Sequence, residues 1–182
     1  MRSDKVTGFH GEKGAGSSSH QEPHAQKAEA LFLSGYNCSQ SVFCAFCDVT
    51  GMEPYHAARL ASSFGAGMGR MREVCGTVSA ALLVLGIVEG YSDPGDPAAK
   101  KRHYERVREF ARRFREKEGS IICRELLAKS GVEQKEIAPG GDPQERTAEY
   151  YRKRPCPKLC ALSARILDEM LSEPDTVLSA GS

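Results

Sequence analysis

The strongest constraint on the fold is a series of apolar stripes at helical spacing, separated by glycine and proline. In segment 75–89, Val78, Leu82 and Leu85 recur on one helical face. A longer amphipathic pattern covers 98–118. No segment shows the alternation of apolar and polar residues that is typical of a strand. The sequence therefore predicts an all-α fold, a compact multi-helix bundle.

The 182 residues are enough for a single domain with one core. Segment 1–21 is polar and rich in glycine and serine, which predicts a disordered tail or an expression remnant. Residues 173–182 are expected to form a loose C-terminal tail. We therefore assign the helical domain, with all seven cysteines, to 22–172.

Charge and hydropathy exclude several classes of partner. A net charge of +1 provides no general attraction to nucleic acid or to an anionic membrane. The most apolar segment, 78–88, is shorter than the ~20 residues that span a bilayer. The N-terminus lacks the apolar run of a secretory signal. We expect a soluble, cytoplasmic protein whose thiols are kept reduced.

Four cysteines share a position at predicted helix starts: Cys38, Cys75, Cys123 and Cys156. Each precedes an apolar residue of its own stripe by three or four positions, so all four are expected to face inward. Backbone N–H groups and the helix dipole favour a thiolate at such a position. A thiolate attacks disulfides and binds metals, so these four are the candidate catalytic residues and metal ligands.

The other three cysteines carry weaker signals. Cys44 and Cys47 form a Cys-x-x-Cys pair that is predicted to lie inside a helix, where both would fill the core. Cys160 follows Cys156 by one helical turn and is a candidate fifth ligand or resolving thiol. Because no Cys-x-x-Cys-His is present, covalent haem is not predicted.

A glycine-rich loop precedes Cys75. Its backbone N–H groups could approach a cofactor or anion, which makes Gly65, Gly67, Gly69, Arg70 and the later Gly76 candidate cofactor-binding residues. The alternative is a tight turn that lets the following helix pack closely. No strand precedes the loop, so the dinucleotide-binding fingerprint does not apply.

Several of these motifs occur together in one family. The segments 37–42, 65–70, 75–80, 82–86 and 123–127, with Cys156-Pro157, resemble the C_GCAxxG_C_C family of redox-active proteins over about 25–171. The resemblance implies a helical fold like that of the split-Soret cytochromes c. It maps the four family cysteines onto the four helix-start cysteines named above, and it implies a redox or transporter partner. Thr77 and Ala80 depart from the family's Cys-Gly-Ala-x-x-Gly.

These observations favour a redox-active protein, an oxidoreductase or electron carrier, that uses the four cysteines for thiol–disulfide exchange or to hold an iron–sulfur cluster. In thiol–disulfide exchange, the thiolate of Cys38 or Cys75 would be the attacking nucleophile, and Cys123 or Cys156 would be the resolving thiol. The alternative is a non-enzymatic domain with zinc or another metal on the same four thiolates. An interaction module with inert thiols is a third reading. Expected partners are a redox protein, a transporter component or a second copy of the chain.

Overall fold

The computed structural model describes residues 24–173, so the predictions for both tails lie outside the described residues. This part of the chain is all-α, as predicted. It forms ten right-handed helices: α1 (His24–Leu33), α2 (Cys38–Ala45), α3 (Cys47–Thr50), α4 (Pro54–Ala61), α5 (Gly76–Glu89), α6 (Pro97–Glu118), α7 (Cys123–Lys129), α8 (Gln134–Ile137), α9 (Ala148–Lys153) and α10 (Cys156–Ser172).

The core is formed by α1, α2, α5 and α10. Helix α1 packs against α10 and α2, while α2 also packs on α5. The long helix α6 lies against α5 and α10. The largest side chains that these contacts bury completely are aromatic: Phe32, Phe43, Phe46, Phe110 and Phe114. This packing holds the start of α2, α5 and α10 in fixed relation to one another.

Ion pairs fix α6 to its neighbours. Arg106 donates two hydrogen bonds of 2.7 Å to the Glu89 carboxylate at the end of α5, and a third to the carbonyl of Met170 in α10. Arg113 pairs with Glu173 at 2.7 Å. The charges of segment 98–118 therefore serve in part as contacts between helices, beyond forming a solvated face.

Three details of the sequence-based prediction are wrong. The helix that was expected to pass through Cys44 and Cys47 ends at Ala45, and Phe46 leaves helical geometry with ψ of 22°. In the amphipathic pattern of 98–118, Tyr104 shares its helical face with Phe110, Ala111 and Phe114, which predicts a buried side chain, but it is 47% exposed. Helix α8 occupies a polar stretch where no helix was predicted. Each of these depends on tertiary packing, which overrides local pattern.

Within residues 24–173, no helix is both long enough and apolar enough to cross a lipid bilayer.

Candidate functional site

Four cysteines lie at the N-terminal ends of four helices. Cys38, Cys123 and Cys156 are the first residues of α2, α7 and α10, and Cys75 is the N-cap of α5. This is the location that the apolar stripes predicted. Asn37 caps α2 through its side chain, which accepts hydrogen bonds from the N–H groups of Ser39 and Gln40. The cap places Cys38 in the first turn, where backbone N–H groups have no helical partner.

All four cysteines line one cavity of about 420 Å³. Burial raises the pKa of Cys75, Cys123 and Cys156, and the charge of Cys38 raises each of them further. The structure therefore brings together residues that are up to 118 positions apart in the sequence. Cys156 is partly exposed, whereas the other three are buried.

A single β-bridge aligns two of the cysteine segments. Val74 and Ile122 pair in antiparallel fashion. Beside them, the N–H of Cys75 donates to the carbonyl of Ile121 at 2.8 Å, and the N–H of Cys123 donates to the backbone carbonyl of Glu73 at 2.7 Å. These bonds join the start of α5 to the start of α7. With one paired residue per segment there is no alternation of apolar and polar residues, so the bridge could not be predicted from local pattern.

The glycine-rich loop forms a left-handed turn between α4 and α5. Residues 66–70 all have positive φ, and the N–H of Gly69 donates to the carbonyl of Gly65 at 2.9 Å. Ala66, Met68 and Arg70 adopt this conformation without being glycine, which costs about 1–2 kcal/mol per residue. Strain of this kind is concentrated at functional sites, where packing imposes it.

The predicted cofactor-binding residues divide into two groups. Gly65, Gly69 and Arg70 line the cavity. Gly67 and Gly76 do not, but each allows a close approach to a cysteine. A β-carbon on Gly67 would lie 2.8 Å from Cβ of Cys123, and one on Gly76 would lie 2.6 Å from Sγ of Cys38. These two glycines determine how closely the cysteine segments can pack.

Burial dominates the ionisation of the thiols. It raises the pKa of Cys38, although the backbone N–H groups of Ala66 and Ser39 act in the opposite direction. Burial, followed by the charges of Cys38 and Cys123, raises the pKa of Cys156 to about 12. The expectation that helix N-termini hold these residues as thiolates is therefore wrong. At Cys38 the N–H groups act as expected, but the cost of burying a charge exceeds their effect.

Thr77 contacts one of the buried cysteines of the cavity. Its Oγ1 lies 3.3 Å from Sγ of Cys75, and both side chains are buried. Burial raises the pKa of Cys75 well above its ordinary value, and the hydrogen bond with Thr77 lowers it in part. Thr77, one of the two residues that depart from the pattern Cys-Gly-Ala-x-x-Gly, is thus a direct partner of Cys75.

The remaining cysteines occupy two other places. Cys160 is fully buried behind the cavity, with its thiol 3.8 Å from the carbonyl oxygen of Cys38. It does not line the cavity, so its predicted role as a ligand or resolving thiol stays a prediction. Cys44 and Cys47 flank the break at Phe46. They interact with each other, and burial raises the pKa of Cys44 to about 11.

The positions of the sulfurs do not suit a single metal ion. Among residues 24–173, no three His, Cys, Asp or Glu side chains are grouped closely enough to hold one. The four thiols surround a cavity instead of converging on a point. This donor set does not fit a zinc ion as the side chains stand, and we derive no step through a metal.

Sequence reasoning missed two arginines of the cavity wall. Arg146 lies in the polar segment before α9, and Arg154 directly follows α9. Both line the cavity together with Arg70 and Arg72. Arg146 lies over the rings of Phe32 and Tyr150, with its guanidinium carbon 4.5 and 5.0 Å from their centroids. The closeness of Arg146 and Arg154 to Cys156 in the sequence was the one signal that could have identified them as cavity residues.

Comparison with known proteins identifies one family. A family model described as "Putative redox-active protein (C_GCAxxG_C_C)" matches residues 36–170, well over half of the chain. The match spans all seven cysteines and all four cavity arginines. No curated protein and no solved structure matches the chain.

Proposed function

The chain belongs to the C_GCAxxG_C_C family, and from that premise we propose that it is a thiol–disulfide redox protein that reacts through the four cavity cysteines. One observation carries the proposal: Cys38, Cys75, Cys123 and Cys156 come from four separate helix starts and line the same cavity. Burial of inert thiols in a core would not place four of them around an open volume. The cavity gives a small substrate access to sulfurs that are otherwise protected.

Cys38 is the proposed nucleophile. Its thiolate would accept hydrogen bonds from the N–H groups of Ala66 and Ser39, which partly offset the cost of burial. Burial and then neighbouring thiols raise the pKa values of Cys75 and Cys156, whereas at Cys123 the charge and hydrogen bond of Arg72 partly oppose the effect of burial. We therefore prefer Cys38 to Cys75 and Cys156, because two backbone N–H groups would stabilise its thiolate.

Cys156 is the proposed resolving thiol. Its side chain is the most accessible of the four. Burial raises its pKa most, and among the neighbouring charges that of Cys38 contributes most to the rise. The Cys38 thiolate attacks one sulfur of a substrate disulfide, forming a mixed disulfide and releasing one thiolate. Cys156, after losing its proton, attacks the Cys38 sulfur and releases the second thiolate. The protein dithiol is oxidised to a disulfide by two electrons, and the substrate disulfide is reduced to two thiols.

An iron–sulfur cluster is the second candidate. Four thiols and four arginines line one cavity, and this is a donor set of the right kind for an anionic cluster. The grouping does not suit one ion, as described above, which is why thiol exchange is preferred.

Anaerobic purification distinguishes the two. The protein is analysed for iron, acid-labile sulfide and zinc, and its free thiols are counted before and after mild oxidation. We expect metal-free protein in which two of seven thiols disappear on oxidation and return with dithiothreitol. Stoichiometric iron and sulfide would overturn thiol exchange in favour of a cluster, and stoichiometric zinc would favour a structural site.

A further inference from the structure

The wall of the cysteine cavity is strongly cationic. Arg70, Arg72, Arg146 and Arg154 line it, and none of the described residues that line it is an aspartate or glutamate. Two carboxylates lie near the wall: Glu136 accepts a hydrogen bond of 3.2 Å from Arg154, and the charge of Asp142 raises the pKa of Arg70 in part. Four guanidinium groups against two carboxylates leave the site with excess positive charge.

The closeness of these cations to one another affects the pKa of Arg70. Burial lowers the pKa of Arg70, and the charges of Arg72 and Arg154 lower it further. Like charges at such separations repel each other, and the repulsion is costly where water is excluded. A site that keeps them together is suited to an anion that neutralises them.

Three buried nitrogen atoms of this wall lack hydrogen-bond partners: Nε of Arg72, Nη1 of Arg146 and Nε of Arg154. Arg72 is only 2% exposed and Arg154 only 6%. Nη2 of Arg72 donates to the carbonyl of Glu136 at 2.8 Å, and Nη2 of Arg154 donates to the Glu136 carboxylate at 3.2 Å, so both side chains are held in place. A buried N–H group without an acceptor is unfavourable, so these guanidinium groups would gain from a ligand that brings an acceptor within reach.

The rest of the wall is apolar and aromatic, and it includes Phe32, Leu126, Leu159 and Tyr150. The volume of about 420 Å³ is in the range of sites for organic ligands and exceeds the need of one inorganic oxyanion. The ligand that fits both parts of the wall has an apolar body and carboxylate ends.

We propose that the cavity binds a low-molecular-weight disulfide bearing carboxylates, with Arg72, Arg146 and Arg154 as its anion-binding residues. The inference rests on the proposed thiol exchange, because it names the substrate class of that reaction. The carboxylates pair with the guanidinium groups of these three arginines, and the disulfide bond lies among the thiols. The electron and atom balance is that of the exchange described above.

Suberate separates binding from reaction. It has the length of 3,3′-dithiodipropionate, but two methylene groups replace the sulfurs, so the protein cannot reduce it. Titration calorimetry on the reduced full-length protein measures its affinity, with neutral 1,8-octanediol as the matched ligand. We expect suberate to bind and octanediol to bind at least about tenfold more weakly.

Arginine variants identify the binding residues. Arg146→Gln and Arg154→Gln should each weaken suberate binding by about tenfold or more, whereas Arg112→Gln should not change it. Arg112 lies on the exposed face of α6, where it pairs with Glu109 and Glu116. Arg146 is only partly buried, so its variant should fold even if Arg154→Gln does not. Equal affinity for suberate and octanediol, or unchanged affinity in both cavity variants, would overturn the inference.

Reaction rates separate failure of this inference from failure of the proposed function. The protein should reduce 3,3′-dithiodipropionate at least about tenfold faster than neutral bis(2-hydroxyethyl) disulfide. If both disulfides react equally fast and suberate does not bind, carboxylate recognition is wrong and thiol exchange stands. If suberate binds but neither disulfide reacts, the site recognises carboxylates and thiol exchange is wrong.

Discussion

The sulfur of Cys38 occupies the space that a β-carbon on Gly76 would need, with only 2.6 Å between them. The carbonyl oxygen of Phe64 would lie 2.8 Å from the same β-carbon. The first turn of α5 can therefore reach the first turn of α2 only with glycine at position 76. This contact joins two of the four cysteine segments.

Gly76→Ala should destabilise the protein by about 1–3 kcal/mol, because the added methyl group overpacks a site with backbone on one side. The free energy of unfolding from urea denaturation measures the effect. Gly86→Ala is the matched control in the same helix. Nothing lies within 4 Å of its β-carbon, so the change should be neutral or stabilise the protein by up to about 1 kcal/mol. Equal effects at both positions would contradict the close contact.

Asn37→Ala should cost about 1–2 kcal/mol. The side chain of Asn37 accepts from Ser39 and Gln40 at 3.0 and 2.9 Å, and its Nδ2 donates to the carbonyl of Ser62 at 3.0 Å. Asn37→Asp keeps an acceptor oxygen for both cap hydrogen bonds and loses only the bond to Ser62, so urea denaturation should show a smaller loss. If the two variants unfold at the same urea concentration, the cap does not stabilise the start of α2.

Stability should fall as the pH rises above about 8.5, the ordinary pKa of a free cysteine. The unfolded chain loses thiol protons there, whereas burial keeps Cys156 protonated up to a pKa of about 12. The unfolded state therefore binds fewer protons, and each such thiol should remove up to about 1.4 kcal/mol per pH unit between these values. Urea denaturation from pH 7 to 10 measures the slope, and Cys156→Ala should make it shallower. A flat profile would contradict the raised pKa.

Thr77→Ala should slow the alkylation of Cys75 by iodoacetamide, because the hydroxyl that lowers the pKa of this thiol is lost. Thr77→Ser retains a hydroxyl group and should keep most of the rate. Mass spectrometry of the labelled peptides follows each cysteine separately, so Cys38 serves as an internal reference. A greater rate at Cys75 in the alanine variant would show that access, not the hydrogen bond, limits the reaction.

Local pattern predicted the helices and the cysteine positions, but not how the segments meet. Stripes and caps placed Cys38 and Cys156 at helix starts, because these signals lie within one turn of each residue. The left-handed turn, the bridge between Val74 and Ile122, and the approach of Arg146 to the thiols depend on contacts between distant segments. The sign of the thiol pKa shift depends on burial, which only the assembled fold determines.

The most direct test of the account is a map of the disulfide formed on oxidation. Reduced protein is treated anaerobically with bis(2-hydroxyethyl) disulfide, alkylated and digested for mass spectrometry. We predict a Cys38–Cys156 disulfide that dithiothreitol reverses and that is absent from Cys38→Ser. Seven free thiols after treatment, or a disulfide confined to Cys44 and Cys47, would contradict the assignment of redox chemistry to the cavity.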